Sequence, residues 1–287
     1  MHGDQDRTIH LRDGRTLGYA EYGAPDGLPV VYTHGGLSCR LDVAAGATIA
    51  QQNGIRLISV DRPGIGLSDP KPGRTVADWA EDVAELRDQL GSLDTFAAMG
   101  WSMGSQYALA LGYALPASVT RVAAVTGGLP LTEPGRFAQM PPVDRAYMHM
   151  SRRMPWLAGQ CLGVMGFTAR RVPGLFTRIA ARELPPVDSA VIRAEESPNF
   201  AQISAEALRQ TVGHVEDYLA AMQPWGFAPE DLAVPVDVWG GADDKFLDPS
   251  WPAELARRIP GATLNTRPGG HFMAHLHWQE IFDALRR

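Results

Sequence analysis

The stretch Phe96-Ala97-Ala98-Met99-Gly100-Trp101-Ser102-Met103-Gly104-Ser105-Gln106-Tyr107-Ala108-Leu109 largely determines the fold predicted for this chain. It begins as a short apolar strand, passes through a sharp turn and continues as a helix from near Met103. Gly100 and Gly104 flank Ser102 in the spacing Gly-x-Ser-x-Gly, which is typical of a reactive serine at a strand-to-helix turn. Strain in such a turn raises the hydroxyl above the edge of the sheet. The same spacing also fits an ordinary tight turn, so the rest of the chain has to decide between the two.

Length and composition indicate a globular protein. The 287 residues are 45% hydrophobic and 20% charged, and the net charge is −6. No basic run is present, which argues against nucleic acid and an anionic membrane as partners. The beginning of the chain is polar and no apolar run is long enough to span a bilayer, so we expect a cytoplasmic protein. Cys39 and Cys161 are too few and too far apart to indicate a disulfide framework.

Strand and helix patterns alternate on both sides of the Ser102 turn. Alternation of this kind predicts an α/β fold with a mostly parallel, doubly wound sheet. Further strands are predicted at residues 8–11, 16–22, 30–33, 56–60, 119–125, 234–239 and 262–266. Helices are predicted at residues 41–53, 75–90, 103–115, 251–258 and 274–285.

The alternation stops between about residues 130 and 225. Prolines divide this segment into helical stretches, predicted around residues 143–153, 156–170, 175–183, 188–195 and 204–222. We therefore expect one sheet domain, residues 1–129 and 226–287, interrupted by an all-helical insertion at residues 130–225.

Two late strands are each followed by a side chain that serine chemistry requires, namely a base and a group to orient it. Asp243 and Asp244 follow the strand at 234–239, and His271 follows the strand at 262–266. Because functional residues gather at the carboxyl ends of parallel strands, these groups are expected near Ser102. We prefer Asp243 to Asp244 because it lies three residues after Gly240, at the end of its strand.

Other histidines fit different roles. His34 lies beside two glycines and is expected to shape their loop, while His275 and His277 fall in the last predicted helix, where packing or surface roles are expected. His271 and His275 have the spacing of a metal-binding pair, but no glutamate or further ligand accompanies them. The sequence therefore predicts no metal site.

Four signals together resemble the α/β-hydrolase fold superfamily over nearly the whole chain. They are His34-Gly35-Gly36, Asp61-Arg62-Pro63-Gly64-Ile65-Gly66-Leu67-Ser68, Gly100-Trp101-Ser102-Met103-Gly104, and the two late loops that carry Asp243 and His271. The order of serine, aspartate and histidine is also that of these hydrolases. The resemblance implies that Ser102 is the nucleophile, His271 the base and Asp243 its orienter, with the helical insertion as a cap over the site.

The resemblance also implies where an oxyanion would bind. Its donors would be the backbone N–H groups of Met103 and Gly36, with Leu37 as the nearest alternative to Gly36. Trp101 and Leu37 are the expected substrate-binding residues. The implied reaction is the hydrolysis of a small, largely apolar ester, lactone or thioester without a metal or organic cofactor. The sequence is compatible with a monomer or a homodimer.

Two other functions stay open. Glu195 and Glu196 lie in the insertion, where aminopeptidases of this superfamily place carboxylates for a substrate amine. The His-Gly-Gly opening is also similar to that of proline iminopeptidases, whose glycine pair is usually followed by Pro-Gly, whereas Leu37-Ser38 stands here. A ligand-binding homologue without catalytic activity is the third candidate.

Overall fold

A central sheet organises the chain, as seen in a computed structural model that describes residues 6–194 and 200–287. In chain order its strands are β1 (Arg7–His10), β2 (Thr16–Gly23), β3 (Leu28–Thr33), β4 (Ile55–Val60), β5 (Phe96–Trp101), β6 (Val119–Val125), β7 (Val236–Gly241) and β8 (Thr263–Arg267). Within the described residues they form one sheet in the order β1-β2-β4-β3-β5-β6-β7-β8. The pairs β1–β2 and β2–β4 are antiparallel and the others are parallel. The predicted mostly parallel sheet is confirmed.

Helices pack on both faces of this sheet and also form an insertion between β6 and β7. They are α1 (Ala47–Gln52), α2 (Trp79–Leu90), α3 (Gly104–Ala114), α4 (Arg136–Gln139), α5 (Pro142–Arg153), α6 (Pro155–Arg171), α7 (Pro173–Glu183), α8 (Pro186–Arg193), α9 (Phe200–Ala207), α10 (Val212–Ala221), α11 (Trp251–Arg258) and α12 (Ala274–Leu285). None of them, over the ranges that the structure describes, combines the length and apolar character needed to cross a bilayer.

Alternating strand residues divide the core into two apolar layers. Val31 points to one face and packs with side chains of α2, α3 and α11, such as Trp79 and Trp251. Its neighbour Val30 points to the other face and packs with side chains of α12, such as Phe282. Successive side chains of a strand lie on opposite faces, so a continuous apolar run such as β3 is buried on both sides. This is the doubly wound arrangement that the sequence predicts.

The helices α4 to α10 lie between β6 and β7 in the chain and form the all-helical cap. Proline occupies the first turn of α5, α6, α7 and α8, where its missing N–H leaves no helical bond unmade. The helix predicted at residues 204–222 is wrong in its continuity, since α9 ends at Ala207 and α10 begins at Val212. The break seats Gly213 against the backbone of Gly64, where an added Cβ would lie 2.4 Å from the Gly64 carbonyl carbon.

A buried ionic cluster joins the cap to the core. Asp217 of α10 accepts hydrogen bonds from Arg62 at 2.8 Å and Arg74 at 2.6 Å, and the Tyr107 hydroxyl donates to it at 3.1 Å. Burial by itself raises the pKa of Asp217, but the two guanidinium groups outweigh it and hold that pKa far below its ordinary value. Because a buried charge is costly without partners, this cluster fixes α10 on the core.

His214, one helical turn before Asp217, is buried and donates from Nε2 to the Ala207 carbonyl at 2.9 Å. Burial lowers its pKa to about 4, although the Asp217 carboxylate acts in the opposite direction. The folded chain therefore stays unprotonated at His214 where the unfolded chain, titrating near pH 6.5, takes up a proton. This contribution to stability is complete above about pH 6.5 and is lost as the pH falls toward about 4.

We expect the wild type to lose about 2 kcal/mol of unfolding free energy relative to His214→Gln between about pH 7 and about pH 5. Urea unfolding of both proteins at the two pH values measures this difference. Any packing that His214→Gln loses lowers its unfolding free energy equally at both pH values, so it does not contribute to the change with pH. His10→Gln, at an exposed histidine, is the control. An unchanged difference between wild type and His214→Gln would contradict the account.

Candidate active site

Ser102 lies on a strained turn between β5 and α3. Its φ of +54° is in the left-handed region, which is unfavourable for a residue with a side chain. Its N–H donates to the Val125 carbonyl at 2.8 Å, which holds the turn against β6. A Cβ on Gly104 would lie 2.0 Å from the Thr33 carbonyl oxygen, and one on Gly100 would lie 2.2 Å from that of Gly104. The two glycines are therefore needed for close packing around the serine.

His271 follows β8 and connects Ser102 to a carboxylate. Its Nε2 lies 2.8 Å from Ser102 Oγ, and its Nδ1 lies 2.9 Å from Asp244 Oδ2. With the Nδ1 proton directed to Asp244, Nε2 is available to accept the serine proton. The structure thus brings Ser102 and His271 together across 169 residues of sequence.

The carboxylate on His271 belongs to Asp244, so the prediction of Asp243 as the orienter is wrong. Asp243 is exposed and accepts a hydrogen bond from the N–H of Gly269 at 3.2 Å. The cause is the length of β7, which continues through Gly240 to Gly241 instead of ending at residue 239. Counted from that end, the third residue is Asp244.

The loop around Asp244 keeps its carboxylate ionised. Burial raises its pKa, but the hydrogen bond and charge of His271 and the N–H groups of Phe246 and Leu247 outweigh this effect and lower the pKa below its usual value. Those N–H groups donate to Oδ1 at 2.8 and 3.2 Å, which leaves Oδ2 for His271. A fixed negative charge at this position can stabilise an imidazolium.

Ser102 and His271 open into a cavity of about 610 Å³ between the core and the cap. Gly36, Leu37, Trp101 and Met103 all contribute to its lining, so the residues predicted to bind the oxyanion and the substrate meet at Ser102. Most of the remaining lining is apolar and includes Leu129, Met140, Met148, Met165, Phe176 and Ile192.

Trp101 also contacts both the backbone and the ring of His271. Its indole N–H donates to the His271 carbonyl at 2.9 Å, and the two rings lie 5.7 Å apart. Leu37 adopts a φ of +53°, so the loop after β3 bends sharply where it meets the cavity. Gly36 lies against Met103, since a Cβ there would be 3.6 Å from Met103 Cε.

The other histidines considered in the sequence lie outside the Ser102–His271–Asp244 series. His34 is buried, donates from Nδ1 to the Gly35 carbonyl and accepts the Arg62 N–H at Nε2, as expected of a residue that shapes its loop. His275 contributes to the cavity lining, whereas His277 contacts the Pro268 carbonyl. Glu195 and Glu196 lie outside the described residues.

Comparisons with known proteins agree with this architecture. Residues 30–284 match the family model described as "Alpha/beta hydrolase family". The chain belongs to the alpha/beta hydrolase family.

Solved structures similar to this alpha/beta hydrolase include a hydrolase from Pseudomonas aeruginosa, with 20% identity, a TM-score of 0.71, and 97% of this chain and 96% of that one covered. An esterase from Exiguobacterium antarcticum has 18% identity and a TM-score of 0.71, with 98% of both chains covered. An enol-lactonase from Burkholderia xenovorans has 19% identity and a TM-score of 0.70, with 98% of both chains covered. At these identities the likeness shows the fold.

A curated relative is a non-heme chloroperoxidase from Streptomyces lividans. It is 37% identical over 84 residues, which are 29% of this hydrolase and 30% of that protein. The hydrolase thus matches less than a third of that relative's length.

One residue of this hydrolase that the sequence does not single out contacts the histidine loop, which is the loop after β8 that carries His271. Asp188 of cap helix α8 is fully buried, and its Oδ1 accepts the Phe272 N–H at 2.9 Å. A Cβ on Gly270 would lie 2.4 Å from the same oxygen, so the loop can approach only because residue 270 is glycine. In the sequence Asp188 looks like an ordinary acidic residue in a first helical turn. Only the folded cap brings it to His271.

The two neighbouring aspartates provide a direct test of the corrected assignment. We expect Asp244→Asn to slow the reaction of Ser102 with a fluorophosphonate probe about 10²- to 10⁴-fold, because the histidine loses its orienting charge. Asp243→Asn should slow the reaction less than about tenfold. Mass spectrometry of the adduct against time gives both rates. The opposite ranking would restore Asp243 as the partner of His271.

Asp188 is expected to act by positioning the histidine loop. Asp188→Ala removes the acceptor for the Phe272 N–H and should slow labelling of Ser102 about 10- to 100-fold, since small displacements of a base cost that much. Asp188→Asn keeps an acceptor oxygen and should stay close to the wild type. Equal loss in both variants, or none in either, would exclude this positioning role.

Proposed function

We propose that this chain is a serine hydrolase that cleaves a carboxylic ester, lactone or thioester of a small, largely apolar substrate through an acyl-enzyme. The observation that carries the proposal is the hydrogen-bonded series Ser102–His271–Asp244, with distances of 2.8 and 2.9 Å. Hydroxyl, imidazole and carboxylate in this order are the groups that nucleophilic acyl transfer uses.

In the proposed reaction, Ser102 Oγ attacks the carbonyl carbon while His271 Nε2 takes the hydroxyl proton. Asp244 stabilises the resulting imidazolium. Collapse of the tetrahedral intermediate breaks the bond to the leaving group, which receives the proton from His271. Water, deprotonated by His271, then attacks the acyl-enzyme, and the acid and free Ser102 are released.

The oxyanion is assigned to the backbone N–H groups of Met103 and Gly36, with Leu37 as the alternative to Gly36. Met103 supports this role because it directly precedes α3, where N–H groups lack helical partners. No hydrogen bond within the described ranges uses the N–H of Met103, Gly36 or Leu37. Two such donors stabilise charge that develops in the transition state, each by about 3–4 kcal/mol.

The cavity supports an apolar substrate. Its volume of about 610 Å³ suits a small molecule, and its lining is largely aliphatic, aromatic and methionine side chains. Methionines adapt to different ligand shapes, so we expect tolerance for acyl length. The esterase and enol-lactonase among the structural neighbours act in the same class of reaction.

Hydrolysis of p-nitrophenyl acetate and butyrate tests the proposal. We expect Ser102→Ala and His271→Ala each to lower kcat about 10⁴- to 10⁶-fold. A matched control is Ser204→Ala, because Ser204 also contributes to the cavity lining, and no hydrogen bond within the described ranges joins its hydroxyl to a histidine. This variant should stay within about fivefold of the wild type.

Three outcomes would contradict the proposal. Full turnover by Ser102→Ala would show that Ser102 is not the nucleophile. A clear preference for an N-terminal prolyl amide over the esters would favour the aminopeptidase alternative. Absence of both turnover and fluorophosphonate labelling would favour the ligand-binding homologue.

A further inference from the structure

The cap places a carboxyl group in the active-site cavity with one oxygen unused. Asp144 of α5 contributes to the same lining as Ser102 and His271. Its Oδ1 accepts a hydrogen bond from the Tyr218 hydroxyl at 3.0 Å. Its Oδ2 is buried and has no hydrogen-bond partner in the part of the chain that the structure describes. A buried acceptor without a partner destabilises the protein, and a donor on a bound ligand would relieve that cost.

Two other carboxylates border this cavity, and both have other surroundings. Asp42 is tied to the loop after β3, because its Oδ2 accepts the Ser38 hydroxyl at 2.7 Å and the Gly35 N–H at 3.4 Å. Glu183 is exposed at the end of α7. Asp42 Oδ1 is, like Asp144 Oδ2, buried without a partner among the described residues, but two donors fix the other oxygen of Asp42. Within the same residues, the one hydrogen bond to Asp144 comes from the Tyr218 hydroxyl, so Asp144 is the less constrained carboxyl group of the two.

Asp144 lies close to the reacting groups. Tyr218, which holds it, packs with Met148 and Ala221 in an apolar cluster that Met103 joins, and Met103 is the residue after Ser102. The charge of His271 is near enough to lower the pKa of Asp144, although burial has the larger effect and raises it. Asp144 therefore shares the cavity with Ser102 and lies near enough to His271 to contact a substrate whose carbonyl is at Ser102.

The same cavity also contains a donor that has no partner among the described residues. Gln106 lies on α3 one turn after Ser102, contributes to the same lining, and its buried Nε2 has no partner among the described residues. One ligand group can satisfy both only if it donates and accepts. A hydroxyl and a secondary amide do so without carrying a charge into a largely apolar cavity.

We propose that Asp144 and Gln106 form a polar subsite for a neutral hydroxyl or secondary amide on the substrate, with Asp144 as the acceptor and Gln106 as the donor. This inference rests on the proposed ester hydrolysis and names its substrate class. The subsite selects esters that carry such a group near the scissile carbonyl over purely alkyl esters.

Kinetics on matched substrates test the selection. We expect wild-type kcat/KM to be at least about tenfold higher for the p-nitrophenyl ester of a 2- or 3-hydroxy acid, or of N-acetylglycine, than for the alkyl ester of equal length. Comparing the hydroxy and amide esters identifies which group binds. Asp144→Leu, which keeps the branching at Cγ but has no polar atom, should abolish the preference, mainly by lowering kcat/KM for the polar ester.

Two further variants separate recognition from a structural effect. Tyr218→Phe removes the hydroxyl that holds Asp144 and should reduce the preference only in part. Glu183→Gln removes a carboxylate at the exposed rim and should keep the wild-type ratio. Equal loss on polar and alkyl esters in Asp144→Leu, or no preference in the wild type, would overturn the subsite.

A binding measurement separates this inference from the proposed function. Calorimetry on Ser102→Ala, with methyl 3-hydroxybutyrate and methyl butyrate as probes, measures recognition without turnover. We expect tighter binding of the hydroxylated ester, lost in the Ser102→Ala, Asp144→Leu double variant. If the hydroxylated ester binds more tightly but the wild type hydrolyses no ester, the subsite is supported and the proposed hydrolase activity is contradicted. If the wild type hydrolyses esters but the two probes bind equally well, the hydrolase activity is supported and the subsite is contradicted.

Discussion

The close approach of β5, α3 and the end of β3 around Ser102 is the constraint on which the site depends. Gly104 lies so near the Thr33 carbonyl that no side chain fits between them, and Ser102 is kept at positive φ by the packing on both sides. The burial of the strands and of α3 supplies the stability that such a conformation needs. The same packing puts the loop after β3, with the proposed oxyanion donor Gly36 and its alternative Leu37, beside the serine and Met103.

Two carboxylates from different parts of the chain then converge on His271. Asp244 contacts the imidazole itself, and this contact together with two backbone N–H groups keeps the pKa of Asp244 low despite burial, while Asp188 holds the backbone of the same loop from the cap. The cap is fixed to the core through Asp217 and its two arginines. Contacts from both the cap and the sheet therefore keep His271 within hydrogen-bonding distance of Ser102.

The cavity between the cap and the sheet has a largely apolar surface and a few polar atoms that have no hydrogen-bond partner among the described residues. Such a surface favours the transfer of an apolar ligand from water, and the polar atoms near the serine restrict its orientation. This arrangement connects the proposed chemistry with the proposed recognition of a polar group, since both use the same narrow region around Met103.

Local patterns in the sequence determined the sheet, the cap and the positions of Ser102 and His271. Apolar runs, glycine spacing and loop residues after strands are local signals, and they predicted the mostly parallel sheet and the strand-to-helix turn at Ser102, although not the end of β7 or the break between α9 and α10. Tertiary structure alone decided between Asp243 and Asp244, because the pairing of β7 with β8 extends that strand to Gly241. It also decided the break before Gly213, which depends on contact with Gly64. Asp188 and Asp144 came to the site in the same way, since helical periodicity does not tell which distant loop or cavity an acidic side chain will meet.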